Sequence, residues 1–175
     1  NEIAREEILL SVPKTEILFG SEAEVRLREA SDNMVSIIEE FSGIVRGTAA
    51  LLFPRRKTIE LVSMILDEEH DATEIMEMEQ EALSEIGNII LNQCLSSLAD
   101  AFADEITTTV PVPQMNVNYF ENRIRQNTYS NSMLLYLTIN FSIRSRDITG
   151  NIIFLMDMNA VDLFHERLRA YVATL

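Results

Sequence analysis

From Thr73 to Ala103 the chain runs without a proline and with one glycine, Gly87, while apolar residues recur at helical spacing. This predicts one long helix over about 73–103. On both sides of it, alternation and β-branching predict strands. Before the helix they fall near 14–19, after a lead-in at Leu9-Leu10-Ser11-Val12-Pro13, and near 23–29, 34–41 and 46–53. After it they fall near 106–118, 132–144 and 150–156. Gly20-Ser21 and Ser42-Gly43 supply turn chemistry. A shorter helix is expected from Pro54, at its first turn, to about Leu66, and another over 159–173, with residues 1–8 closing a helix before the first strand. The fold class this implies is α+β, an antiparallel sheet covered by helices.

The two halves of the pattern rhyme. Val12-Pro13 and Val110-Pro111 each open a strand block, and Gly47-Thr48-Ala49-Ala50-Leu51-Leu52-Phe53 has a counterpart in Gly150-Asn151-Ile152-Ile153-Phe154-Leu155-Met156. Each run feeds a helix. We read residues 1–175 as a single domain built from two pseudo-repeated helix–strands–helix halves, about 1–66 and 72–175. On that reading a long helix should precede Pro13, yet only about eight residues come before the first strand. The expectation is therefore a chain trimmed within its first helix.

Of 175 residues, 47% are hydrophobic, which excludes disorder, and one cysteine, Cys94, excludes an internal disulfide framework and a Cys-rich zinc site. No apolar run approaches the roughly 20 residues of a membrane-spanning helix, and the charged opening Asn1-Glu2-Ile3-Ala4-Arg5-Glu6-Glu7 is no signal peptide. The expected setting is cytoplasmic, without membrane insertion. Net charge is −14, and no Lys or Arg occurs between Lys57 and Arg123. Such a chain repels phosphate backbones, so nucleic acid is not an expected partner. Its acidic stretch suits a partner with a basic rim, or serves solubility alone.

Within the long helix, Glu81, Glu85, Asn88 and Asn92 fall at about 0°, 40°, −20° and 20°, one narrow stripe, whereas Leu83, Ile86, Ile90 and Cys94 fall toward a core. Asn costs roughly half a kcal/mol in a helix interior, and Gly87 about 1 kcal/mol more. Propensity does not select Gly-Asn in mid-helix. Either something approaches closely there, or the stripe is a solvated face and Gly87 permits tight packing. A carboxylate on a rigid helix can pair with a partner's Lys or Arg. A carboxamide has a donor and an acceptor with which to aim a water molecule, acting by position rather than as a base. An aimed water is much of what attack on a phosphoryl group requires.

These residues resemble the CheC/CheX/FliY phosphatases of bacterial chemotaxis, whose pattern is Asp or Ser, three residues, Glu, two residues, Asn, twenty-two residues, Pro. Glu85, Asn88 and Pro111 match it, with Ile89 to Val110 as the spacer. Ser11-Val12-Pro13 and Gly47–Pro54 also resemble that family's strand segments. The resemblance implies dephosphorylation of a CheY-like response regulator. Glu85 would pair with a lysine near the regulator's phosphoaspartate, and Asn88 would orient the attacking water. The magnesium would be the regulator's, so no cofactor or metal of the chain's own is expected. Glu81 stands where the pattern has Asp or Ser, and Asn92 shares the stripe outside the pattern; both are candidate docking residues. Some relatives carry a second motif on the equivalent first helix. The resemblance leaves open a CheD-like activating partner and a homodimer.

Elsewhere, His70 in the acidic connector and His165 in the last helix read as solvated residues, and Cys94 as a small core residue. Gly-x-Ser-x-Gly and Gly-rich phosphate loops are absent from the sequence. The competing functional class is a non-catalytic interaction module that binds a regulator, or a second copy of itself, through the acidic helix.

Overall fold

The computed structural model describes residues 9–31, 33–43, 45–58, 72–103, 105–114, 132–143, 146–157, 162–163, 165–166 and 169–170. The expected helix over 1–8, the helix beyond Thr58, the connector with His70 and residues 115–118 of the strand expected over 106–118 lie outside them. In chain order the elements are β1 (Leu9–Phe19), α1 (Gly20–Ser31), β2 (Met34–Ser42), β3 (Gly47–Pro54), α2 (Ala72–Phe102), β4 (Thr107–Thr108), β5 (Val112–Gln114), β6 (Ser132–Ile143) and β7 (Arg146–Asp157). A helix also opens at Arg55 and is described through Thr58, and helical residues recur between 162 and 170, as expected.

The strands form one antiparallel sheet in the order β1-β6-β7-β3-β2-β4, with β5 also on β2. Its centre is the pair of rhyming runs: Thr48 lies opposite Leu155, Ala49 opposite Phe154 and Ala50 opposite Ile153. Both faces of these strands are covered, so they are buried almost end to end instead of alternating. On one face Val35, Ile37, Phe41, Leu51, Phe53, Ile152 and Phe154 pack under Leu83, Ile86, Ile90 and Cys94 of α2. Phe41 and Phe154 meet edge to face at 6.0 Å. On the other face Ile38, Ala50, Leu52, Leu134, Tyr136 and Ile153 pack with Ala23 of α1. Arg26 of α1 lies over the Tyr136 ring at 4.4 Å and pairs with Glu16 at 3.4 Å.

Three expectations need correction. Residues 23–29 are helix, not strand: Glu22-Ala23-Glu24-Val25-Arg26-Leu27-Arg28 alternates polar and apolar, but its residues are mostly strong helix formers, and Ser21 and Glu24 stand at capping-box spacing. That helix is followed by Asn33 at φ 57°, a left-handed residue that turns the chain into β2. The strand expected over 106–118 is two short pieces broken at Thr109–Pro111, where proline has no N–H for the ladder. Pro54 closes β3 opposite Met34 rather than lying within the helix. Val12-Pro13, in turn, marks a register shift inside β1 between Ser11 and Lys14.

The α2–β2 seam is set by Gly87. A Cβ there would run into Ile37 Cγ2 and lie 3.3 Å from Ile37 Cβ, and Ile37 is fully buried. The close approach is therefore internal, and the packing explanation of Gly87 is the one the structure bears out. Gly87→Ala gains about 1 kcal/mol of helix propensity but overpacks a β-branched side chain, a cost of about 1–3 kcal/mol. We expect it to lower the urea midpoint rather than raise it, as an exposed Gly→Ala change would.

Candidate functional site

α2 separates its two sides as its spacing requires. Leu83, Ile86 and Ile90 are fully buried and Cys94 nearly so, its thiol pushed up by burial to about 11, as befits a core residue. On the opposite side Glu81 and Asn88 are exposed, and Glu85 and Asn92 half-exposed. The four stripe residues thus share an outward face. Two of them touch: Asn92 Nδ2 donates to Asn88 Oδ1 at 2.8 Å, an i,i+4 pair.

Beside this stripe runs the segment from Glu105 to Gln114, the outer neighbour of β2. It is fixed to β2 by pairing of Thr108 with Phe41 and of Val112 with Ile38. At the break, Thr109 N donates to Glu40 O and Glu40 N to Thr109 Oγ1. Two side-chain bonds then tie this edge to α2. Ser84 Oγ donates to Pro111 O at 2.8 Å, and Thr108 Oγ1 donates to Asn92 Oδ1 at 3.3 Å. Ser84 and Asn92 are two turns apart, about 12 Å of helix rise. Pro111 and Thr108 are three residues apart, about 10 Å of extended chain. The two lengths agree, and Asn88 lies midway between the ties. This accounts for the interval between Asn88 and Pro111, which has to finish the helix, reverse, and bring the edge back alongside the same two turns.

Pro111 is buried, whereas Val110 and Val112 on either side are 76% and 51% exposed. An apolar rim therefore adjoins a polar, partly acidic stripe. His165 is exposed, in keeping with its reading as a surface residue.

Sequence reasoning did not single out Ser84 or Thr108, whose roles depend on tertiary proximity. Nor did it single out Glu39, although period-two alternation places Glu39 on the same face as Val35, Ile37 and Phe41. Glu39 is 1% exposed and neither carboxylate oxygen has a hydrogen-bond partner among the described residues. Burial pushes its carboxyl up; the Thr108 hydroxyl pulls weakly the other way but is donated to Asn92.

The family description that fits this chain is chemotaxis phosphatase CheX, matched over residues 34–137. The chain belongs to that family. The match spans β2, β3, the whole of α2, the edge segment and half of β6, so it contains all four stripe residues and Pro111. Among solved structures, FliY from Thermotoga maritima superposes with a TM-score of 0.68 at 13% identity, over 97% of this chain and 86% of that one. A CheX–CheY complex with BeF3 and magnesium from Borrelia burgdorferi matches at 0.50 and 21%, over 77% and 94%. A FliM–SpeE complex from H. pylori matches at 0.55 and 11%, over 99% and 86%. At these identities the likeness is one of fold. No curated protein matches the sequence.

A buried acid with a raised pKa keeps its proton in the folded chain over a range where the unfolded chain has lost it. Its effect on this CheX-family protein is therefore a loss of stability as pH rises from the ordinary value of 4.5 through the raised one. Glu39→Gln has no carboxyl to titrate and should remove that loss, so its urea midpoint should stay level over the range where the parent's falls. Urea midpoints that fall equally with pH in both proteins would show that Glu39 does not carry the dependence.

Proposed function

We propose that this chain hydrolyses the phosphoaspartate of a CheY-like response regulator, with Asn88 directing the water and Glu85 anchoring the regulator. The observation that carries the reading is the outward placement of Glu85 and Asn88 on a rigid helix of a CheX-family chain. The crystallised pairing of a CheX with a CheY in a protein of the same fold supports the choice of partner.

In this mechanism Glu85 meets a lysine of the regulator, and the docked pair carries Asn88 into the acyl-phosphate pocket. The Asn88 carboxamide holds one water in line with the phosphorus–carboxylate bond. The water oxygen forms the new bond to phosphorus, the aspartyl carboxylate leaves with the bonding electrons, and phosphate and one proton are released. The amide supplies position and no proton transfer. The regulator brings its own magnesium, so no metal is asked of this chain. Glu81 and the Val110–Val112 rim extend the contact. The side-by-side pairing of the rhyming central strands supports reading the fold as a duplicated unit whose second half carries this site.

A second reading draws on the likeness to FliM, recorded in complex with SpeE: a docking or scaffold module that binds the regulator without turnover. Substoichiometric protein separates the two. We expect it to speed decay of a CheY-type receiver phosphorylated with acetyl phosphate, with Asn88→Ala slowing that catalysis by about 100-fold and leaving the melting temperature unchanged. Unaltered phosphate release in that variant would defeat the assignment. Glu85→Ala should raise KM more than it lowers kcat, and the difference should shrink as salt is added.

A further inference from the structure

We propose that Asn92 and Thr108 are positioning residues that fix the orientation of the Asn88 carboxamide, an inference that rests on the phosphatase reading of Asn88. An asparagine amide can be turned over about its last bond, exchanging donor for acceptor. For an exposed residue little opposes that exchange, and the water it holds would be aimed in one orientation and misdirected in the other. Here the ambiguity is removed by a chain of two hydrogen bonds. Thr108 Oγ1 donates to Asn92 Oδ1 at 3.3 Å, which turns the Asn92 Nδ2 hydrogens toward α2's preceding turn. Asn92 Nδ2 then donates to Asn88 Oδ1 at 2.8 Å. With Oδ1 held there, the Asn88 Nδ2 hydrogens and the remaining Oδ1 lone pair face outward in one arrangement.

The anchor of the chain is firm. Thr108 is paired across the sheet edge with buried Phe41, and the same edge is held to α2 a second time by Ser84 and Pro111. Asn92 is half-exposed beside that edge, within reach of both Thr108 and Asn88. Its amide group has one bond on each side, to Thr108 and to Asn88. Direct docking by Asn92, the role expected from its place on the stripe, would have only the one amide hydrogen and one oxygen lone pair that these bonds leave.

The test uses Asn92→Asp, Thr108→Val and Thr108→Ser in the full chain, assayed on a CheY-type receiver phosphorylated with acetyl phosphate. Asn92→Asp replaces the donor by an acceptor, so Asn88 must turn its Nδ2 inward to meet it. Thr108→Val keeps the shape and removes the hydroxyl. We expect both to lower kcat about 10-fold with KM within twofold, as for displacement of one aligned group, and Thr108→Ser to restore the rate. Raised KM at full kcat would make Asn92 a docking residue, and unaltered kcat in Thr108→Val would sever Thr108 from the site; either overturns the proposal. Since Glu39 lies buried near Thr108, melting temperatures are taken in parallel, and a Thr108→Val loss that Thr108→Ser does not rescue also counts against it.

A second readout needs no turnover. In the 15N-labelled protein, the Asn92 side-chain amide should show one hydrogen-bonded proton, shifted downfield and slow to exchange, and Thr108→Val should abolish that signature. If the wild-type chain fails to hasten phosphate release while this signature is present and Thr108-dependent, the phosphatase reading has failed and the hydrogen-bond chain stands. If the signature is absent, the chain is refuted whatever the activity.

Discussion

The structure turns on how closely α2 lies against β2. At Gly87 the helix has no side chain, and Ile37 fills the place a methyl group would take. That contact sets the depth of the helix on the sheet, and Leu83, Ile86 and Ile90 follow it into the core on the neighbouring turns. Interiors are packed like crystals, so such a contact admits little adjustment. The rigid placement of the opposite face, with Glu85 and Asn88, is a consequence of it. A stripe that needs no burial of its own is thereby held as firmly as the core beneath.

The second constraint is the outer edge. The pieces β4 and β5 are too short to hold themselves and are secured by β2 on one side and by Ser84 and Asn92 on the other. Pro111 breaks the ladder there, and its carbonyl is taken by Ser84. An edge strand usually leaves unpaired groups open to another chain. Here the break and the helix ties bind that edge to α2, while Val110 and Val112 are left exposed.

Much of this was legible in the residues. The long helix, the central strands and the division of α2 into core and outward sides follow from periodicity alone, because burial on one face is what periodicity records. The Glu85, Asn88 and Pro111 spacing marked the segment that the family match later covered. What escaped has physical reasons. Residues 23–29 alternate as a strand would, and what opposes that pattern is their composition of helix formers and the spacing of Ser21 and Glu24. Gly87 could be read as an opening for a partner because sequence cannot say whether a gap is filled from within. The ties from Ser84 and Thr108 join positions 27 and 16 residues apart, and local pattern carries no signal for such pairs.

The separation of fold from chemistry follows from the same arrangement. The residues that stabilise α2 and those proposed to act lie on opposite sides of it, so the working side chains contribute little to the core. A helix interior tolerates Asn at a cost of roughly half a kcal/mol, small beside the several kcal/mol by which a domain is stable. One scaffold can therefore carry a hydrolytic amide or an inert docking face with almost no change in folding energy, and the fold itself persists in FliY and FliM structures at 13% and 11% identity to this chain. For the phosphatase reading, what must be maintained is direction rather than stability. A single amide without a base gains its effect from the angle at which it holds water, and that angle depends on neighbours that fix its orientation. Asn92 and Thr108 occupy the positions from which this can be done.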